Sequence, residues 1–205
     1  MSPAGLVSVL GVMPDPLTLP ELPVLRGERV LLRGGQDSDI DDRLVYPIDP
    51  EEEDAYGSGW RRVWDGRRYH TREHLTAARE PSKPGHYAWA VEHEGRCIGR
   101  VKLRVNAGQH RGVYSVGVFV PELRGRGLGR EITELTLDWG FGVLGLHRIE
   151  LEVLAGNTRA LRCYLACGFR QEGIRRQAEL YPGGWQDFIS MGVLASEHAA
   201  ARTAG

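Results

Sequence analysis

Residues Val116–Glu131 read V-G-V-F-V-P-E-L-R-G-R-G-L-G-R-E. Small and bulky apolar residues alternate up to Val120 in the manner of a strand, and Pro121 ends that pattern because it has no N–H for a ladder. Gly125, Gly127 and Gly129 follow at alternate positions before a helical pattern begins. Strand, glycine loop and helix start together make a site for a phosphate or diphosphate. The glycines let successive backbone N–H groups turn toward one point, over the positive end of a helix. Arg124, Arg126 and Arg130 add fixed positive charge around that point.

Two phosphate-binding loops do not fit. The dinucleotide fingerprint G-x-G-x-x-G needs a glycine where Arg130 stands, and the Walker loop needs a Lys-Ser or Lys-Thr pair that is missing after the glycines. An arginine-rich turn with no ligand competes with any reading of so short a motif. What does fit is R-x-x-G-x-G, formed by Arg124, Gly127 and Gly129. One helix and one strand further on, Asn157, Ala160, Tyr164, Gly168 and Phe169 spell N-x-x-A-x-x-x-Y-x-x-x-G-F, and Glu152 stands five positions before Asn157.

Together these two motifs resemble the paired motifs of the GNAT superfamily of N-acetyltransferases. The opening L-x-G-x-R-V-x-L-R, Leu25 to Arg33, is similar to that of its ribosomal-protein N-terminal (Rim-type) branch. The resemblance covers Leu25 to Leu194 and is strongest from Ser115 to Phe169. It implies an α/β (α+β) fold: a central mixed, mostly antiparallel, strongly bent sheet flanked by helices, with a splayed strand pair holding acetyl-CoA. Backbone groups of Val118, Phe119 and Val120 would pair with the pantetheine arm. The diphosphate would sit on the amides of Gly125, Arg126, Gly127, Leu128, Gly129 and Arg130, beside Arg124, and Asn157 would contact the cofactor arm while also serving as a helix N-cap.

The reaction so implied is attack of an amine on a thioester. An α-amino group titrates at about 8 and a lysine-like amine at about 10.4, so a base must take a proton first. Glu152 is the candidate, with Glu150 the runner-up on the same strand face. Tyr164 would protonate the departing thiolate, and a strand N–H such as that of Phe119 would face the developing oxyanion. A protein or peptide N-terminus is the expected acceptor. The alternatives are a polyamine or aminoglycoside-like amine, or a non-catalytic acetyl-CoA-binding module.

Composition bounds these readings. With 205 residues, 41% hydrophobic and 26% charged, the chain suits one globular domain, and its net charge of -1 gives no pull toward nucleic acid or an anionic membrane. Cys97, Cys163 and Cys167 form neither a disulfide framework nor a zinc ribbon, and no run reaches the length of a membrane span, so a cytoplasmic monomer or homodimer is expected. His70, Glu73 and His74 spell H-x-x-E-H, an inverted zinc-peptidase pattern, but no third-ligand motif follows and the expectation is no metal.

In chain order, residues 1–24 carry Pro3, Pro14, Pro16, Pro20 and Pro23 and read as an arm with no core of its own, either poorly ordered or packed along the surface. The acetyltransferase domain is expected over 25–197, with a fraying alanine-rich tail at 198–205. Within the domain, Leu25 to Arg33 reads as a first strand, and Asp37 or Ser38 caps a short helix. From Pro47 to Arg79 the pattern is irregularly helical, with acids at Glu51 to Asp54 and Trp60 and Trp64 on one face. Tyr87 to Glu92 and Cys97 to Val105 form a hairpin about Glu94-Gly95, and Val113 to Val120 is the strand before the loop. Leu128, Ile132, Leu135 and Trp139 share the apolar stripe of the next helix. His147 to Leu154, a helix from Asn157 to Cys167 with Leu161 and Leu165 holding it to the sheet, and strands Phe169 to Gly173 and Gln186 to Leu194 complete the domain.

Overall fold

The computed structural model describes residues 15–45, 83–181 and 183–203. The Glu51–Asp54 cluster, Trp60, Trp64 and the His70–His74 motif lie outside the described residues. Strands β1 (Leu25–Arg26), β2 (Leu31–Arg33), β3 (His86–His93), β4 (Arg96–Asn106), β5 (Arg111–Val118), β6 (Arg148–Leu154), β7 (Arg170–Tyr181) and β8 (Gly184–Leu194) form one sheet in the order β1-β2-β3-β4-β5-β6-β8-β7. Every neighbouring pair is antiparallel except β5–β6, so the sheet is mixed. Helices α1 (Ser38–Val45), α2 (Leu128–Gly142), α3 (Thr158–Ala166) and α4 (Ala195–Thr203) flank it.

The β3–β4 hairpin turns on Glu94 and Gly95, at φ +50° and +74°, the left-handed pair that a tight two-residue hairpin requires. α2 buries Leu128, Ile132, Leu137 and Trp139. The Trp139 ring stands edge-on to Trp89 and Tyr87, with centroids 5.3 and 4.6 Å away. Gly140 lets the helix lie this close: a Cβ there would come within 2.8 Å of Ile149 Cδ1. Thr133 and Thr136 are also fully buried. Thr136 satisfies its hydroxyl on the Ile132 carbonyl at 2.8 Å, one turn back in the helix.

Several elements differ from the sequence reading. The first strand is two, because the chain turns at Gly27 (N–H to the Val30 carbonyl, 2.9 Å) and pairs β1 back on β2. Of the two states open to the Pro-rich segment, residues 15–24 take the packed one: the Tyr87 hydroxyl donates to the Pro20 carbonyl at 2.9 Å and Trp89 Nε1 to that of Pro23 at 2.7 Å. β7 runs to Tyr181, well past Gly173. Through Thr203 the alanine-rich tail is helix, as the strongest helix former allows, and α4 is pinned to α2 by His198 and Arg202 on Asp138 at 2.8 and 3.2 Å. Leu161 packs on the core, whereas Leu165 is 56% exposed and does not hold α3 down.

Candidate active site

The one parallel contact in the sheet is short. β5 and β6 are in register only at Arg111↔Arg148, Gly112↔Ile149 and Val113↔Glu150, and the rest of the two strands diverge. Phe119 donates its N–H to the Ile98 carbonyl on β4 at 3.0 Å. In an antiparallel pair the main-chain groups alternate sides, so those of Gly117 and Ser115 also face β4, while those of Val118 and Val116 face the gap. On β6, Ala155 donates to the Asp187 carbonyl on the β8 side, which turns the groups of Leu154 and Glu152 toward the same gap. A wedge of main-chain donors and acceptors without ladder partners results.

The gap leads into the glycine loop. Pro121–Leu123 forms a 3₁₀ turn, Gly125 and Gly127 take φ +72° and +84°, and Gly127 N-caps α2 with no side chain to occupy the first-turn amides. Arg124 folds back, donating from Nε to the Val118 carbonyl at 3.0 Å, so the loop is locked to the strand it follows. Below it, Thr133 donates to the Gly129 carbonyl at 2.7 Å. Its single proton is thereby used, and the Tyr114 hydroxyl is the donor in the 2.9 Å bond between those two side chains. A cavity of about 260 Å³ opens between this loop and α3, with Arg124, Arg130, Arg159 and Arg162 among its lining residues. Four arginines around uncapped helix amides make a strongly anion-attracting wall.

α3 begins at Asn157, whose Oδ1 accepts from the Ala160 N–H at 3.1 Å, and one face of the helix supplies Ala160, Cys163 and Tyr164 to the cavity. Tyr164 is buried, edge-on to Tyr114 and Phe169 with ring centroids 6.3 and 5.8 Å away. Burial pushes the Tyr114 hydroxyl well above its ordinary range, so it stays protonated.

The opposite face of the sheet borders the same gap. A second cavity there is lined by Ser115, Glu150, Glu152 and Glu172. Glu152 is half-exposed and ion-paired with Arg175 at 2.5 Å. Glu150 is held by Arg148 at 3.0 Å and Arg111 at 3.3 Å, and Arg148 also forks onto Glu172, whose carboxyl it holds below the usual range. Beyond Phe119 a third cavity, about 350 Å³, has Arg43, Arg100, Lys102 and Asp39 in its walls.

The sequence model of the acetyltransferase (GNAT) family matches residues 48–169. The chain belongs to this family. Among curated proteins it is similar to a spermidine N(1)-acetyltransferase of Vibrio cholerae, 34% identical over 101 residues, which are 49% of this chain and 58% of that one. A spermidine N(1)-acetyltransferase of Escherichia coli is 29% identical over 113 residues, 55% of this chain and 60% of its own length. These matches span less than two thirds of either relative. The solved Vibrio cholerae spermidine N-acetyltransferase, in complex with CoA and spermine, shares the fold with a TM-score of 0.69 at 23% identity, covering 84% of this chain and 99% of that one. A GCN5-related N-acetyltransferase from Brucella melitensis gives a TM-score of 0.74 at 22% identity, covering 92% of this chain and 86% of that one.

Within this GNAT chain the expected site residues separate into groups. Val118, Arg124, Gly125, Gly127, Gly129, Arg130, Asn157 and Tyr164 line the loop cavity. Arg126, Leu128, Phe119 and Val120 do not. Arg126 has its carbonyl bound by Arg29 and Leu128 is buried in the core, neither of which concerns the N–H groups expected to meet the diphosphate, and the Val120 carbonyl accepts from Leu123 in the 3₁₀ turn. Phe119 has its N–H committed to β4, so the gap-facing N–H is that of Val118, and Phe119 contributes a ring to the third cavity instead. Val116, Leu123 and Cys163 also line the loop cavity. Val116 follows from the same alternation once the β4 register is known; the sequence carries no signal for the other two. Glu152 stands across the gap, on the face opposite Tyr164. Among the described residues no metal-binding group gathers, and no helix is long and apolar enough to cross a membrane.

Proposed function

We propose that this protein is an acetyl-CoA-dependent N-acetyltransferase whose acceptor is a small-molecule amine, with polyamines the leading class. The observation that carries the reading is the β5–β6 gap, bordered by the glycine-loop cavity on one face and by Glu152 on the other. The site fits a CoA thioester. Gly125 and Gly127 hold a backbone shape that L side chains rarely adopt, the α2 amides and four arginines suit a diphosphate, and Val116 offers main-chain groups to an amide-bearing arm.

Bound acetyl-CoA supplies an acetyl group activated as a thioester. Val118 N–H faces the gap and is the donor for the carbonyl oxygen in place of that of Phe119. Glu152 would take the proton that the ammonium must lose before its nitrogen can bond to the acetyl carbon. Tyr164 would give its proton to the sulfur as the carbon–sulfur bond breaks, and the second proton, which the nitrogen sheds on becoming an amide, would restore the phenol through solvent.

The small-amine acceptor is supported by the two spermidine acetyltransferases that match 49% and 55% of this chain. A thiol-release assay with acetyl-CoA tests this reading when run against spermidine, spermine, an aminoglycoside and short peptides. Turnover of polyamines is expected. Turnover confined to the aminoglycoside keeps the small-amine class and moves the acceptor within it, and turnover confined to peptide N-termini restores the Rim-type expectation. CoA binding with no turnover of any amine makes the protein a binding module.

A further inference from the structure

The first turn of α2 carries a carboxylate, Glu131, beside a loop whose proposed ligand is a dianionic diphosphate. Left alone, that charge would oppose the ligand. It is not left alone. Glu131 Oε1 accepts from the Arg29 N–H at 2.8 Å and from the Val30 N–H at 3.2 Å, and Oε2 accepts from Arg29 Nε at 2.9 Å. The donors come from the β1–β2 turn, where Gly27 makes the room: a Cβ there would lie 2.4 Å from Glu131 Oε1. Burial alone would raise the Glu131 carboxyl, but the bonds from Arg29 and Val30 outweigh it and hold the group below its ordinary range, so it is ionised and matched by the guanidinium.

The same guanidinium extends to the loop. Arg29 Nη1 donates to the Arg126 carbonyl at 2.8 Å, and Nη2 lies 3.3 Å from the position a Gly127 Cβ would take. Holding the Arg126 carbonyl on the β1–β2 side keeps that acceptor away from the anion site and fixes the peptide that leads into Gly127. Arg29 is half-exposed, and it bridges the helix start to the loop while contributing nothing to the core.

We propose that Arg29 is a positioning residue for the diphosphate loop: it cancels the charge of Glu131 and holds the Arg126 peptide in the anion-binding arrangement, with Gly27 as the space that lets the latch close. The inference rests on the acetyl-CoA reading above. It ties a glycine and an arginine early in the chain to a site about 100 residues further on.

Calorimetric titration of CoA into wild type, Arg29→Ala, Arg29→Lys, Glu131→Gln and the Arg29→Ala/Glu131→Gln double variant tests it, alongside kcat at saturating acetyl-CoA. Hydrogen bonds to charged groups set the scale. Arg29→Ala should weaken CoA by about 10- to 100-fold with kcat at saturation within about twofold, and Arg29→Lys should recover part of the loss. The double variant should bind more tightly than Arg29→Ala, because removing the uncovered carboxylate relieves the anion; a merely structural role would make the second substitution add to the loss. Wild-type CoA affinity in a folded Arg29→Ala or Arg29→Lys protein would overturn the proposal, as would a double variant no tighter than Arg29→Ala. If wild type itself binds no CoA, the acetyl-CoA reading fails, and the latch proposal falls with it.

Discussion

Replacing Gly129 separates ligand binding from stability more cleanly than any other change in the loop. Unlike Gly125 and Gly127 it has no positive φ, and it sits in the first turn of α2, where an alanine is accommodated without backbone strain. A Cβ built there has Cys163 Sγ as its nearest neighbour at 3.6 Å, an ordinary van der Waals contact, and both residues line the loop cavity. Gly129→Ala should therefore gain up to about 0.5–1 kcal/mol from helix propensity, a rise in Tm of about 1–4 °C for a domain of this size. The same methyl stands where the diphosphate must approach the backbone. Losing one or two amide bonds to an anion, each worth about 1.5–3 kcal/mol, should weaken CoA by about 10- to 10⁴-fold. Calorimetry and thermal melts on one preparation read both numbers. A stable Gly129→Ala protein with wild-type CoA affinity would refute the placement of the diphosphate, and a drop in Tm would refute the packing argument.

Glu152→Gln should lower kcat by about 10²–10⁴, with recovery at high pH where the amine is already neutral; an unchanged pH–rate profile would move the base to Glu150 or to solvent. Tyr164→Phe keeps the ring against Tyr114 and Phe169, so kcat should fall by about 10- to 1,000-fold with CoA affinity and Tm nearly intact. A loss of Tm with normal turnover would make the hydroxyl structural. Glu131 and Glu172 both titrate below the ordinary glutamate range when folded, so between the two values the native state binds fewer protons than the unfolded chain. Their contribution to stability is complete above the unfolded value and is lost as pH falls through the folded one. Glu131→Gln should flatten the fall in Tm below about pH 4.5 and leave the neutral region unsloped; a steeper acid limb in the variant would contradict the sign.

What was legible in the sequence had local causes. Glu94-Gly95 names its own turn, Asn157 its own cap, and the alternation of Ile149, Leu151 and Val153 against Glu150 and Glu152 names both faces of β6. The glycine loop was legible because positive φ demands glycine. What failed depended on partners far along the chain. Alternation in V-G-V-F-V says which side chains share a face, but the side to which Phe119 sends its N–H is set by its register with Ile98 on β4. The break in the first strand and the role of Arg29 both depend on Glu131, 102 residues downstream. Thr133 and Thr136 read as polar until their hydroxyls find carbonyls one turn back.

The short β5–β6 contact also divides the molecule's response to isotope exchange. Val116, Val118 and Glu152 belong to well-formed strands, yet their amides face a gap without a ladder partner and should take up deuterium on the timescale of a loop. Val113 and Ser115, on the same strand, should hold their protons, because β4 covers them. A strand whose alternate amides exchange at two different rates is a signature that ligand binding would erase. Mass-resolved exchange with and without CoA would thus report occupancy of the gap before any acceptor is in hand.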